Sequence, residues 1–135
     1  MTEFARIERP KVAVTRKLLA PIEARMSELF DASLNDDDHE MTAEEIVALA
    51  QGCDVLVPTV TDRIDAALIE ALPASVKLIA NFGAGVNHID LKAAKARGIL
   101  VTNTPGVFTD DTADLTMALI LNVPVSYTHL TLPTS

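Results

Sequence analysis

A loop with two glycines, at residues 83–88, is the segment whose residue types and spacing most directly suggest chemistry. Gly83, Ala84 and Gly85 follow a short apolar run and precede a segment of helical composition. Glycines let the backbone bend, so consecutive amide groups can point at one carboxylate near the start of a helix. A tight turn that binds nothing explains the same spacing, so both interpretations stay open at this point.

The loop does not complete the glycine pattern of a dinucleotide-binding site. The third glycine of GxGxxG is replaced by His88, and the next predicted strand ends in Thr102 and Asn103. An acidic residue that could bind a ribose hydroxyl is therefore missing where that pattern needs it.

The remaining titratable side chains have structural interpretations. For His88, near Asp90 at a predicted helix start, we predict a structural hydrogen bond. We expect Cys53 to be a small buried filler, and His39 to be solvated in the acidic loop 36–40. The three histidines and one cysteine lack the spacing of a metal site, and the acidic loop lacks the glycine and final glutamate of a calcium loop. The sequence thus predicts no metal site.

The elements that must position the loop alternate between strands and helices. Strands are predicted at 11–15, 30–34, 54–60, 76–80 and 99–102, and helices at 18–30, 42–52, 62–72, 90–97 and 112–121. Thr42 and Glu45 form a capping box, and Thr61 or Asp62 is the expected cap of the third helix. This alternation predicts an α/β fold: a flavodoxin-like, doubly wound, parallel five-stranded sheet with helices on both faces. Ligands of such sheets bind at the carboxyl ends of the strands.

The chain is organised as one domain with short flanks. Residues 1–10 are a polar lead-in, and residues 11–121 form the domain. Pro124 and Pro133 interrupt an apolar helix, and the last residues read SYTHLTLPTS. We interpret residues 122–135 as a non-native tail on a truncated chain; an irregular native terminus is the alternative.

Composition excludes some classes of partner. The net charge of −8 argues against nucleic acid and anionic membranes, which both need a basic surface. The single cysteine excludes an internal disulfide and favours a reducing compartment. No signal peptide and no apolar run of membrane-spanning length are visible, so we expect a cytoplasmic protein.

The stretches GAGVNHIDL (83–91), ARGILVTNTPG (96–106) and TAD (112–114) together resemble the D-isomer-specific 2-hydroxyacid dehydrogenases. The similarity covers residues 11–121 and is closest to the glyoxylate and hydroxypyruvate reductase branch. In that family a flavodoxin-like substrate domain is built from both chain ends around an inserted dinucleotide domain. The resemblance implies that Ala84 and Gly85 present amides to the substrate carboxylate, and that Thr112 lies near the nicotinamide of NAD or NADP. It also suggests Val60, Phe82 and Phe108 as pocket-lining residues.

The resemblance further implies NAD(P)H-dependent reduction of a small 2-oxo acid such as glyoxylate or hydroxypyruvate. The family's catalytic histidine, its acidic partner and its arginine lie beyond the matching segment, as does the dinucleotide-binding domain. We therefore expect no catalytic residue in this chain and no activity from it alone. The full-length enzyme is expected to be a homodimer.

Two other functions remain as alternatives. One is a stand-alone flavodoxin-like binding or regulatory domain, similar to a receiver. A receiver needs acidic residues after the first strand and an aspartate at the end of the third, whereas this chain has Thr15-Arg16-Lys17 and Pro58-Thr59-Val60-Thr61 there. The other is a structural module that pairs with a partner through its apolar helix.

Overall fold

The computed structural model describes residues 9–104 and 116–121. In chain order the elements are β1 (Lys11–Val14), α1 (Ala20–Leu29), β2 (Asp31–Ser33), α2 (Ala43–Leu49), β3 (Val55–Val57), α3 (Ala66–Ala71), β4 (Leu78–Ala80), α4 (Leu91–Ala96) and β5 (Leu100–Thr102). Residues 116–121 are also helical. The predicted tail at 122–135 lies outside the described residues and stays a prediction.

The strands form one parallel sheet in the order β2-β1-β3-β4-β5. Parallel neighbours need crossover connections, and here α1 to α4 supply them between successive strands. β3 and β4 are buried at every residue because both faces of a doubly wound sheet are covered. The predicted flavodoxin-like order is confirmed.

Helices cover both faces of the sheet, as predicted. One core cluster joins α2, α3 and α4 to the sheet, with Ala13, Leu56 and Ile79 as strand members. On the other face, α1 and the helical residues 116–121 pack against alternate residues of the same strands, including Val12, Val55 and Val57. This division follows from the strand period, in which successive side chains point to opposite faces.

The ends of α2 and α4 follow the predicted signals. Thr42 and Glu45 form the capping box, with the Glu45 amide 3.2 Å from Thr42 Oγ1. Asp90 caps α4 by accepting the Ala93 amide at 3.0 Å. Gly98, with φ +71°, follows α4 in the left-handed conformation that favours glycine.

The predicted helix 62–72 is wrong at its start. α3 begins at Ala66, and its cap is Asp65 rather than Thr61 or Asp62. Ile64 instead forms a parallel bridge with Ile89: its amide donates to the His88 carbonyl at 2.8 Å, and its carbonyl accepts from the Asp90 amide at 2.9 Å. The sequence pattern missed this because the bridge joins positions far apart in the chain.

Candidate functional site

The glycine loop, residues 83–88, begins at the carboxyl end of β4. The Asn81 amide donates to the Thr102 carbonyl at 3.0 Å, which continues the pairing of β4 with β5. The Phe82 amide donates to the Pro58 carbonyl at 2.9 Å, beyond the end of β3. The loop is therefore fixed at the sheet edge where this fold class binds ligands.

The buried side chain of Asn81 holds two carbonyls of the loop. Its Nδ2 donates to the Gly83 oxygen at 3.3 Å and to the Gly85 oxygen at 2.8 Å. Its Oδ1 lies 2.9 Å from His88 Nε2. Both hydrogens of the amide nitrogen and one lone pair of the oxygen are thus satisfied within the loop.

Residues that follow β5 hold the loop from the other side. Asn103 Nδ2 donates to the Ala84 carbonyl at 2.7 Å. The Thr104 amide donates to the Gly83 carbonyl at 3.0 Å. The carbonyls of residues 83–85 are therefore all bonded to protein donors.

The amides of Ala84 and Gly85 lie on the opposite side of those peptide units. In a trans peptide the N–H points away from the C=O. Both residues are exposed, and neither amide donates to any group in the part of the chain that the structure describes. The Gly83 amide is different, because it donates to the Asn81 carbonyl at 3.1 Å. Two adjacent free donors can bind the two oxygens of a carboxylate.

Gly83 is the glycine that the loop conformation requires. Its φ is +151°, and a Cβ there would lie 3.4 Å from Val60 Cγ1. At Gly85 an added Cβ would meet nothing within 4 Å, and φ is not positive. The two glycines therefore have different roles in the loop.

His88 makes the predicted structural hydrogen bond, but with Asn81 and not with Asp90. Burial lowers the pKa of His88, and the negative charge of Asp62 partly opposes this. The lowered pKa favours the neutral form of the ring.

A buried carboxylate next to the loop, that of Asp62, was predicted only as a possible helix cap. Asp62, 3% exposed, accepts hydrogen bonds from the Thr15 hydroxyl and, at 2.8 Å, from the Thr59 amide. These contacts join the carboxyl ends of β1 and β3. These two strands are neighbours in the sheet, and the chain adds strands in opposite directions on either side of them. The Thr59-to-Asp62 spacing, with a turn hydrogen bond of 3.0 Å, is the signal that could have indicated it.

The pocket-lining candidates are placed only in part. Phe82 lines a cleft of about 420 Å³ beside Lys17, Leu18 and Thr59. Val60 is 59% exposed and lies over Gly83. Phe108 lies outside the described residues.

The other candidates agree largely with their structural interpretations. Cys53 is 5% exposed, and burial raises the pKa of its thiol. His39 is exposed as predicted, but it also contacts two carboxylates. Its ring nitrogens lie 2.7 Å from Asp37 Oδ1 and 2.9 Å from Glu45 Oε2. Within residues 9–104 and 116–121, no three His, Cys, Asp or Glu side chains form a group that could hold a metal ion.

The described residues do not fit the phosphates of a dinucleotide. α4 begins only at Leu91, well beyond Gly85, and the carboxylate of Asp90 already caps it. A pyrophosphate at that helix end would meet a negative charge in place of free amides. Thr112, the predicted cofactor contact, lies outside the described residues.

The alternative functions find no support among the described residues. Asp62, the first acidic residue after β3, is 3% exposed, and this burial does not suit a phosphate acceptor. Met117 and Ile120 are buried within the chain, so this part of the apolar helix packs internally. In the described ranges, no helix has the length and apolar character that crossing a bilayer requires.

Comparisons with known proteins point to one family. The sequence model of "D-isomer specific 2-hydroxyacid dehydrogenase, catalytic domain" matches residues 12–134. A glyoxylate reductase of Korarchaeum cryptofilum is 39% identical over 84% of this chain and 34% of its own length. A glycerate dehydrogenase of Hyphomicrobium methylovorum is 34% identical over 85% of this chain and 36% of its own length. This chain thus spans about a third of the length of the curated relatives it matches.

A solved structure shares both sequence and fold. It is an NADPH-dependent glyoxylate/hydroxypyruvate reductase of Sinorhizobium meliloti in complex with NADP and malonate. Its sequence identity is 30% and its TM-score 0.59, with 85% of this chain and 34% of that chain covered.

Proposed function

Because the chain belongs to the family of D-isomer specific 2-hydroxyacid dehydrogenases, we propose that it holds the carboxylate of a small 2-oxo or 2-hydroxy acid for such an enzyme. Glyoxylate and hydroxypyruvate are the substrates we favour, since reductases of these acids are among the similar proteins. The observation that carries the proposal is that the amides of Ala84 and Gly85 are exposed and donate to no group among residues 9–104 and 116–121.

These amides act by binding and orientation. When the substrate carboxylate binds the Ala84 and Gly85 amides, the adjacent C2 atom of the substrate is also held in place. The reason is that the loop is fixed at the carboxyl ends of the strands. A nicotinamide cofactor, when bound, exchanges a hydride with C2. We place Thr112 near its nicotinamide end on the strength of the resemblance, and we leave NAD and NADP both open.

The proposal extends to the organisation of the whole enzyme. We propose that residues 11–121 belong to the substrate domain and that residues 122–135 are not native to it. The complete enzyme would carry a dinucleotide domain and form a homodimer. We propose the cytoplasm as its location, because the Cys53 thiol is free and buried, as is usual in a reducing compartment.

The test of carboxylate binding is a series of matched ligands. We expect the chain to bind glyoxylate and hydroxypyruvate with Kd values of about 1 mM or weaker, the range for a small ligand on a partial site. Pyruvamide, which keeps the 2-oxo group but lacks the charge, should bind at least about tenfold more weakly. Equal affinity for the charged and uncharged ligands, or binding of neither, contradicts the proposal.

A test of the reaction compares two chain lengths. The chain of 135 residues should not oxidise NADH or NADPH with glyoxylate, because GxGxxG is absent from its sequence. Residues 1–121 continued through their natural reading frame should do so. Turnover by the shorter chain, or none by a folded longer chain, would refute the assignment.

A further inference from the structure

Asn81 is the side chain that bonds two carbonyls of the glycine loop, and it shares the Gly83 carbonyl with the Thr104 amide, which donates to it at 3.0 Å. It is 1% exposed and lies directly after β4, so its backbone is fixed by the sheet. Its side chain reaches back under the loop and bonds the carbonyls of Gly83 and Gly85. The peptide unit that contains the Gly83 carbonyl also contains the Ala84 amide, which must therefore point away from Asn81.

The orientation of the Asn81 amide group is itself determined. Two carbonyl oxygens can be bonded only by a donor, so Nδ2 must face them and Oδ1 must face His88. An amide oxygen accepts, so His88 Nε2 must carry a hydrogen at the 2.9 Å contact. A neutral ring then has the Nε2–H tautomer.

We propose that Asn81, locked by His88, is a positioning residue that aims the Ala84 amide at the substrate carboxylate, an inference that rests on the proposed function. Asn103 has the same role for the next peptide unit, because it bonds the Ala84 carbonyl and so directs the Gly85 amide outward. The two asparagines thus orient the two binding amides separately.

The ligand arm of the test uses substitutions of nearly equal size. Asn81→Asp replaces a donor to two carbonyls by an acceptor that repels them, and should weaken glyoxylate binding about tenfold or more. Asn103→Asp should disturb the Gly85 amide resonance more than the Ala84 resonance. Asn87→Asp is the matched control: it adds the same charge to the same loop, at an exposed side chain without a hydrogen bond in the described residues, and should change the affinity less than about twofold.

Variants of His88 separate positioning from folding. His88→Gln keeps a donor for Asn81 Oδ1 and should bind glyoxylate within about twofold of the wild type. His88→Phe fills similar space without a donor and should bind about fivefold more weakly while it still folds. Equal affinities of these two variants, or wild-type affinity in Asn81→Asp, would overturn the inference.

A ligand-free arm keeps the inference separate from the proposed function. Nitrogen-15 NMR of the His88 ring in the wild-type chain should show the Nε2–H tautomer at pH 7.5. A His88 ring that did not donate to Asn81 would not be restricted to this tautomer. The Nδ1–H tautomer would refute the positioning inference even if carboxylates bind. If the tautomer is as expected but wild type binds no carboxylate, the proposed function fails and only the loop architecture stands.

Discussion

At the scale of the residue, the glycine loop is proposed to bind a carboxylate through backbone amides, so side chains matter chiefly by setting the backbone conformation. Gly83 supplies a φ of +151° that residues with a side chain rarely adopt. Asn81 and Asn103 then hold the carbonyls. The carbonyls of residues 83–85 are thus bonded within the protein, whereas the amides of Ala84 and Gly85 have no acceptor among the residues that the structure describes.

Gly83→Ala and Gly85→Ala form a matched pair of substitutions. Alanine at position 83 should destabilise the fold by about 1–3 kcal/mol, because a residue with a side chain is strained at the positive φ of this position. At position 85 the same change should stay within about 0.5 kcal/mol, since the added Cβ meets nothing within 4 Å. Urea unfolding measures both, and equal losses would contradict the conformation assigned to Gly83.

Asp62→Ala tests the buried carboxylate at the ends of β1 and β3. Its removal takes the side-chain acceptor from the Thr59 amide and leaves the Thr15 hydroxyl only the Val57 carbonyl at 3.5 Å, which should cost about 1–3 kcal/mol of unfolding free energy. Asp36→Ala, at an exposed position of the acidic loop, is the control and should stay within about 0.5 kcal/mol. A loss no larger than the control would show that Asp62 does not hold these ends together.

The proposed binding residues stand out in the sequence only because glycines allow the backbone to bend there. Gly83, Ala84 and Gly85 drew attention by composition and by resemblance to a family. The partners that orient them were not predictable, because Asn103 reaches Ala84 only once β5 pairs with β4. Asp62 was predicted as a helix cap, since a carboxylate before an apolar helical segment fits that pattern equally well.

At the scale of the element, the start of α2 joins a helix cap to an ion pair. Glu45 Oε1 accepts the Thr42 amide at 2.9 Å, and Oε2 lies 2.9 Å from His39 Nε2. Hydrogen bonds with Asp37 and Glu45 raise the pKa of His39. The acidic loop is thereby attached to α2.

Glu45→Gln separates the charge from the cap, because glutamine still fits a capping box. The His39 pKa should fall toward its ordinary value of 6.5, and Glu44→Gln, one residue earlier, should leave it unchanged. A raised pKa means that the stability His39 contributes is fully present below pH 6.5 and is lost as the pH rises through the folded-state pKa. An NMR titration of His39 measures its pKa in both variants. An equal fall of the His39 pKa in Glu44→Gln and Glu45→Gln would contradict the ion pair.

Element boundaries show where local signals suffice. The capping box at Thr42, the cap at Asp90 and the existence of all five strands were predictable because they depend on neighbouring residues and on apolar runs. The predicted bounds were too wide: β3 ends at Val57 and not at residue 60, and β4 begins at Leu78 and not at residue 76. The start of α3 was not, since the bridge between Ile64 and Ile89 outweighs the helical tendency of residues 62–65.

At the scale of the whole molecule, the parallel sheet fixes where the loop lies. Leu56 is fully buried in the core cluster under α2, α3 and α4. Leu56→Ala should therefore cost about 2–5 kcal/mol of unfolding free energy. Leu100→Ala, on the edge strand and 62% exposed, should cost less than about 1 kcal/mol. Comparable losses in denaturant unfolding would be inconsistent with this core.

The most direct test of the account is a proton–nitrogen NMR titration of the chain with hydroxypyruvate. The Ala84 and Gly85 amide resonances should shift together, saturably and downfield, because both hydrogens gain a charged acceptor. The Gly83 amide, already bonded to the Asn81 carbonyl, should shift least of the three. Shifts confined to other residues, or Ala84 and Gly85 resonances that do not respond to the carboxylate, would contradict the account.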